Sequence, residues 1–288
     1  MQESEAAFFA FMEAREDLRL SKERGDPWPW SPDSILQNYK FTNVKREHDR
    51  TTKWMRENWT GPSHNRPHGE IIFNCALFRY FGTAEFAAAL GWQQEWDPNA
   101  ATRLAAYRMQ HRERVFTGAY IIPTLGHRGP KAEAVAHLIL TPLWDRRDHL
   151  AGIAAATKSW EAVAAEMRGM PGFGGTGFMT KETLQDALQT PALAGATDRD
   201  TWCPAGPGAR RGLNRLYGRP LGAQLGERLL LAEMIGLLAL SHKRPSAILP
   251  ELELHDIQFQ LCEFDKYERV RLGQGRPRSR YVYRGSLL

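Results

Sequence analysis

Asp256, Gln260, Glu263 and Tyr267 recur at i, i+4, i+7 and i+11, so a helix through this stretch sets all four on one face. Ile257, Leu261 and Phe264 form the apolar stripe beside them. The two carboxylates stand about 10 Å apart along the axis at the ~1.5 Å rise per residue. That is too far to share a proton, but it suits contact with two parts of one substrate, as a general base and an amine-recognition group. A polar helix face pairing with nearby arginines is the plainer reading of the same spacing.

A second constellation is the run Tyr39-Lys-Phe-Thr-Asn-Val-Lys-Arg-Glu-His-Asp-Arg-Thr-Thr. Read as a helix capped near Thr42, it buries Val44, His48, Thr51 and Met55 and gathers Arg46, Arg50 and Lys53 on another face, with Glu47 and Asp49 beside them. Such mixed charge usually marks a solvated surface. Here Trp28, Trp30, Tyr39 and Phe41 introduce the run and would hold the helix against a core. Arginines fixed in that way suit an anion, which they grip by paired hydrogen bonds.

A third is Trp202-Cys-Pro-Ala-Gly-Pro-Gly-Ala-Arg-Arg-Gly-Leu-Asn-Arg, in which a Gly-Pro-Gly turn runs into Arg210 and Arg211. Free N–H groups, a helix start and two cations together read as an anion-binding loop. The fourth is the hairpin Met170-Pro-Gly-Phe-Gly-Gly. Before it Ile153, Ala156, Trp160, Val163 and Met167 trace one helical stripe; after it Thr176 is placed to cap a helix through Phe178, Leu184 and Leu188 that stops at Pro191. Glycine lets backbone N–H groups approach a phosphate closely, and the following helix N-terminus favours negative charge. The hairpin has the form by which helix-hairpin-helix DNA-binding proteins, base-excision glycosylases among them, grip a strand; an ordinary turn between two helices is the alternative. Asp198 and Asp200 follow at about the distance at which hairpin glycosylases place a catalytic aspartate, but turn formation is the favoured reading of both.

The elements that must position these groups are mostly helical. Periodic stretches cover roughly 4–20, 83–90, 100–115, 131–140, 151–168, 177–189, 222–241 and 254–268, and Gly/Pro-rich connectors separate them. Strand-like alternation is confined to 115–122 and 281–283. The expected fold class is mostly α, a helix-hairpin-helix glycosylase-like helical fold with long Gly/Pro-rich loops. The expected division is an N-terminal arm (1–30), one helical catalytic unit (31–268) with the helix-hairpin-helix at 151–190, and a basic tail (269–288).

Composition narrows the function classes. With 42% hydrophobic and 25% charged residues in 288, the chain is globular. Its most apolar window, 229–240, is too short to span a bilayer and contains Glu233, and the acidic start lacks the basic opening of a signal peptide. The expected location is cytoplasmic, the host cytoplasm if the chain is phage-encoded. Cys75, Cys203 and Cys262 are scattered and read as small buried hydrophobes. The sequence holds no CxxC, HExxH, GxxxxGK[ST] or strand-linked GxGxxG pattern, so it signals no zinc site, P-loop or Rossmann site. Net charge is +5, with six arginines and no acid from 269 to 288 and a second cluster at Arg210, Arg211, Arg215 and Arg219. Phosphate contact is the favoured reading of both clusters.

Taken together, Tyr39-Lys-Phe-Thr-Asn-Val-x-Arg-Glu-x-Asp-Arg, Met170-Pro-Gly-Phe-Gly, Gly206-Pro-Gly-Ala-Arg-Arg-Gly-Leu-Asn-Arg and Leu261-Cys-Glu-Phe-Asp-Lys-Tyr resemble the helical enzymes of phage thymine hypermodification. These are the amino acid:DNA transferases, also called α-glutamyl/putrescinyl-thymine pyrophosphorylases, to which the helical domain of 5-hydroxymethyl-deoxyuridine DNA kinases is related. The resemblance covers roughly 31–280. It implies a reaction on 5-hydroxymethyluracil activated in DNA as a pyrophosphate ester, in which the amine of an amino acid or polyamine displaces pyrophosphate. The related kinases carry a P-loop domain; the absence of that motif here favours the transfer step.

On this reading Asp256, Glu263 and Asp265 are the candidate catalytic carboxylates. Asn43, Arg46, Asp49, Arg50, Arg210, Arg211, Asn214, Lys266 and Tyr267 are candidates for substrate and pyrophosphate binding. Gly172, Phe173, Gly174, Gly175, Arg276 and Arg278 are candidates for DNA contact. The expected partners are double-stranded DNA carrying modified uracil and a free amino acid or polyamine, with no membrane. The sequence signals no certain cofactor; a divalent metal at the pyrophosphate is compatible with the chemistry, but no ligand set can be read. The competing readings are a glycosylase acting on a modified base and a non-catalytic DNA-binding module that partners a kinase.

Overall fold

The structure, a computed structural model, describes residues 3–118, 120–244, 246–277 and 280–283. Its α-helices in chain order are α1 (Glu3–Arg24), α2 (Ser34–Asn38), α3 (Arg50–Met55), α4 (His68–Phe81), α5 (Ala84–Leu90), α6 (Pro98–Gln110), α7 (Lys131–Glu133), α8 (Thr141–Thr157), α9 (Trp160–Arg168), α10 (Phe178–Ala187), α11 (Gly206–Leu216), α12 (Glu227–Lys243) and α13 (Leu254–Arg271). The fold class is mostly α. Among the described residues there is no strand, and 115–118 and 120–122 are loop; Tyr39 and Arg280 form an isolated bridge. Two compact units divide the chain: Met1–Asp49 with Asp200–Leu288, and Arg50–Arg199.

In the first unit α1 is core rather than an arm. Phe8, Phe9 and Met12 are fully buried, and Phe8 meets Phe264 of α13 edge-on with 5.4 Å between ring centroids. The expected boundary at residue 30 fails because the aromatic face of α1 needs the C-terminal helix to cover it. α11 lies tightly along α13 because Gly212 faces it: a Cβ there would stand 2.3 Å from the Leu261 carbonyl oxygen. α12 also packs on α13.

The second unit is built around α4, whose residues from Gly69 to Phe81 are all buried. α8 and α10 pack against it. The expected single helix over 151–168 is two. Lys158 takes a left-handed φ of 50° and ends α8, and Ser159 caps α9 through the Ala162 N–H. The Asp198 carboxylate takes the N–H groups of Trp160 and Glu161 at 3.0 Å each, so this acid closes a helix start. As a result Ile153 and Ala156 do not share the buried face of Trp160, Val163 and Met167.

Candidate functional site

In the first unit the segment before Asp49 is not the expected helix. It runs extended into a 3₁₀ turn, Arg46–His48, because side chains take the backbone groups a helix would use. The Asp49 carboxylate accepts the Asn43 N–H at 3.0 Å, and the Asn43 amide donates to the His48 carbonyl at 2.8 Å. α13 holds this loop from the other side. Gln260 donates to the carbonyls of Asn43 and Val44 at 3.1 and 2.9 Å, and its own carbonyl accepts from Arg15 of α1. Lys266 pairs with Glu263 at 2.5 Å, donates to the Lys40 carbonyl at 2.9 Å and lies 4.6 Å from the centre of the Phe41 ring.

Arg15, Arg46 and Glu263, all buried, and the half-buried Asp49 thus form one charged group. Burial lowers the Arg15 pKa to about 10 against the opposing pull of Glu263, Asp49 and Glu16. Burial also raises the Asp49 carboxyl, offset by the Asn43 N–H, Arg46 and Arg15 and reinforced by Glu263. Arg46 is buried, with its guanidinium 5.5 Å from the centre of the Phe259 ring. Asp256 caps its own helix: its side chain accepts from the Glu253 N–H at 3.1 Å, and Glu253 reciprocates in a capping box. Burial pushes Asp256 up to about 7, against hydrogen bonds from the Glu253 and Arg46 backbone and the charge of Lys45.

The other residues expected at this site are placed elsewhere. Asp265 lies half a helical turn from Asp256 and Glu263 and pairs with Arg211 and Arg215 of α11, each at 2.8 Å. Arg211 is therefore bound to the face of α13 opposite Glu263 and does not join Arg46. Arg210 points outward to Gln224 at 2.6 Å. Asn214 is fully buried and holds the carbonyls of Leu221 and Ala223. The Tyr267 hydroxyl donates to Asp33 at 2.6 Å, and burial, reinforced by this bond, raises its pKa. Arg50 begins the second unit, exposed in a cleft of about 500 Å³ that Trp54 and Arg114 also line.

The hairpin, also in the second unit, joins α9 to α10. Gly172 has φ +84°, and a Cβ there would meet the Tyr80 hydroxyl at 2.8 Å and Ile139 at 2.9 Å. Tyr80 donates to the Gly172 carbonyl at 2.8 Å. Phe173 is fully buried and anchors the turn. Gly177, at φ +68°, precedes α10 with no side-chain cap, so Thr176 does not cap the helix as expected. Arg276 is exposed; Arg278 lies outside the described residues. Among the described residues no group of three or more His, Cys, Asp or Glu is placed to hold a metal ion, and no helix is long and apolar enough to cross a membrane.

The chain matches the family described as 5-hmdU DNA kinase, helical domain, over residues 2–276. It belongs to that family. A protein of Bacillus phage SP10 named 5-hmdU DNA kinase is 26% identical over 271 residues, which cover 85% of this chain and 41% of that protein. The chain thus spans well under half of the relative's length. No solved structure matches it.

In this member of the helical-domain family, α10 carries polar residues that the sequence reading missed. Lys181, Glu182, Gln185 and Asp186 share one face, and all four are buried. Lys181 and Glu182 pair at 2.8 Å, and Tyr120 donates to Glu182 at 2.6 Å. Asp186 accepts from Arg79 and Arg56 at 2.6 and 3.1 Å. The available signal was four polar residues at i, i+1, i+4 and i+5 directly after the hairpin. An amphipathic reading assigns such a face to solvent.

Proposed function

We propose that this chain acts in phage DNA thymine modification as a transferase on a 5-hydroxymethyluracil-derived base. The amine nitrogen of an amino acid or polyamine attacks the C5 methylene carbon. The carbon–oxygen bond to pyrophosphate breaks, and its electron pair leaves with the pyrophosphate. A carboxylate takes the proton released by the amine. Family membership supports the setting in modified DNA.

The observation that carries the reading is the meeting of two motifs more than 200 residues apart, Asn43–Arg46–Asp49 and Gln260–Glu263, around Arg15. Arg46 and Arg15 offer positive charge to a departing pyrophosphate. Asp256 and Glu263, on one face of α13, are the carboxylates for proton removal, and a pKa near neutrality suits Asp256 to that task. Asp265, neutralised by two arginines, holds α11 in place. The hairpin glycines present backbone to the DNA strand, with the half-buried Arg210 and the exposed Arg276 for phosphate contact.

The deciding measurement is mass spectrometry of nucleosides from DNA carrying pyrophosphorylated 5-hydroxymethyluracil, after incubation with the protein and a pool of amino acids and polyamines. A new thymidine adduct is expected, and its mass names the amine. Abasic DNA without an adduct would replace the transferase by a glycosylase. A second reading has its own support: this chain corresponds to 41% of the SP10 protein, as a DNA-binding module of a larger kinase would. Unchanged DNA together with tight DNA binding would select it.

A further inference from the structure

In the first unit a cavity of about 260 Å³ opens between α1 and the segment leading to Asn43. Five aromatic residues line it: Trp28, Trp30, Tyr39, Phe41 and Tyr281. Trp28 stacks on Tyr281 with 5.6 Å between centroids and 17° between planes, and Trp30 meets Trp28 edge-on at 5.0 Å. Arg15, Lys22 and Lys40 also line it, and none of its described lining residues is Asp or Glu. Lys22 rests 4.7 Å from the centre of the Trp30 ring and 4.5 Å from that of Tyr281.

Two wall residues hold buried hydrogen-bonding atoms without a partner, Arg15 Nε and Thr42 Oγ1. The two terminal nitrogens of Arg15 each donate to a neutral carbonyl oxygen, of Gln260 and Thr42. An orphaned donor on a buried cation costs stability unless something fills it. Flat walls, exclusively positive charge and two unmet polar atoms describe the complement of an anionic heterocycle. The volume lies just under the roughly 300–1,000 Å³ of pockets for drug-sized ligands, which limits the occupant to one base.

We propose that this cavity is a nucleotide subsite. A pyrimidine ring stacks among the aromatic residues, its carbonyl oxygens meet Arg15 Nε–H and the Thr42 hydroxyl, and its phosphate lies toward Lys22 and Lys40. The assignment rests on the reading under Proposed function only for the identity of the base, 5-hydroxymethyluracil. The site adjoins Asn43, so a base held there sits beside the loop that carries Arg46 and Asp49.

The test is titration of the full chain with 5-hydroxymethyl-dUMP, followed by tryptophan fluorescence and calorimetry, for the wild type, Thr42→Val and Trp30→Leu. Saturable binding is expected, weakened about tenfold or more in each variant, in line with the cost of losing a stacked ring or a buried hydrogen bond, with the helical circular dichroism of both variants retained at the assay temperature. Competition by a duplex carrying one modified base would identify the occupant as a nucleotide of DNA; lack of competition would identify it as a free nucleotide. No saturable binding, equal binding by both variants, or displacement of the nucleotide by glutamate or putrescine would each overturn the subsite. Variant-sensitive nucleotide binding without any thymidine adduct would sink the transferase reading and leave the subsite standing.

Discussion

Arg215 and Asp265 meet at 2.8 Å, with side chains only 8% and 4% exposed, on the face of α13 turned away from Glu263. The acid-rich end of α13 therefore serves two purposes. One side is a clasp for α11, and the other faces the loop before Asp49.

Asp265→Asn removes the charge that neutralises Arg215 and Arg211. Breaking a buried pair on one side leaves an uncompensated cation, so urea unfolding should show a loss of about 3 kcal/mol. Activity of the fraction still folded should persist. A large fall in activity with stability intact would return Asp265 to the reacting groups.

Asp256 gives a pH signature. Its carboxyl titrates near 7 in the fold and near 3.9 in an unfolded chain. Between those values the unfolded state has lost its proton while the folded state keeps it, so stability is fully present below about 4 and declines as pH rises through 7. Asp256→Asn keeps an oxygen for the Glu253 N–H and removes the titration. The variant should gain on the order of 4 kcal/mol over wild type at pH 8 and almost nothing at pH 4 in parallel denaturation curves. Transfer should fall by orders of magnitude while DNA binding survives.

Gly172→Ala forces a Cβ onto Tyr80 and Ile139 at a left-handed φ. Gly175→Ala has a φ of +65° but open space around it. The conformational cost alone is about 1–2 kcal/mol. Thermal melts should therefore place Gly172→Ala well below Gly175→Ala, and DNA affinity should drop more for the former. Equal effects would show that the Tyr80 contact does not shape the hairpin.

Asp186 is the fully buried acid that joins α10 to Arg79 of α4 and to Arg56. Asp186→Ala strands two arginines and should cost about 3–5 kcal/mol. Protease digestion should then cut first within 50–199, because that unit loses its central tie. Digestion beginning in the other unit would contradict the tie.

Legibility differed by element for physical reasons. α1, α5, α10 and α13 follow from periodicity, since one apolar face repeats against polar ones. α4 escaped that reading: it is buried all round, so no amphipathic period marks it. The segment 39–49 carries a helix-like pattern, yet Asn43 and Asp49 divert its backbone into a 3₁₀ turn. The break between α8 and α9 is written in Thr157-Lys158-Ser159, where a serine cap outweighs the continuing stripe.

For the candidate site, the sequence by itself determined which side chains share a helix face: Asp256, Gln260 and Glu263 on one side of α13 and Asp265 on the other. It also determined where glycines permit a turn. Only the tertiary structure decided what each face meets. It gave Arg211 and Arg215 to Asp265, brought Arg15 to Gln260 and buried the polar face of α10. Periodicity records local direction around a helix axis. The partner of a charge is set by chain segments far away in sequence, and those meet only when the fold closes.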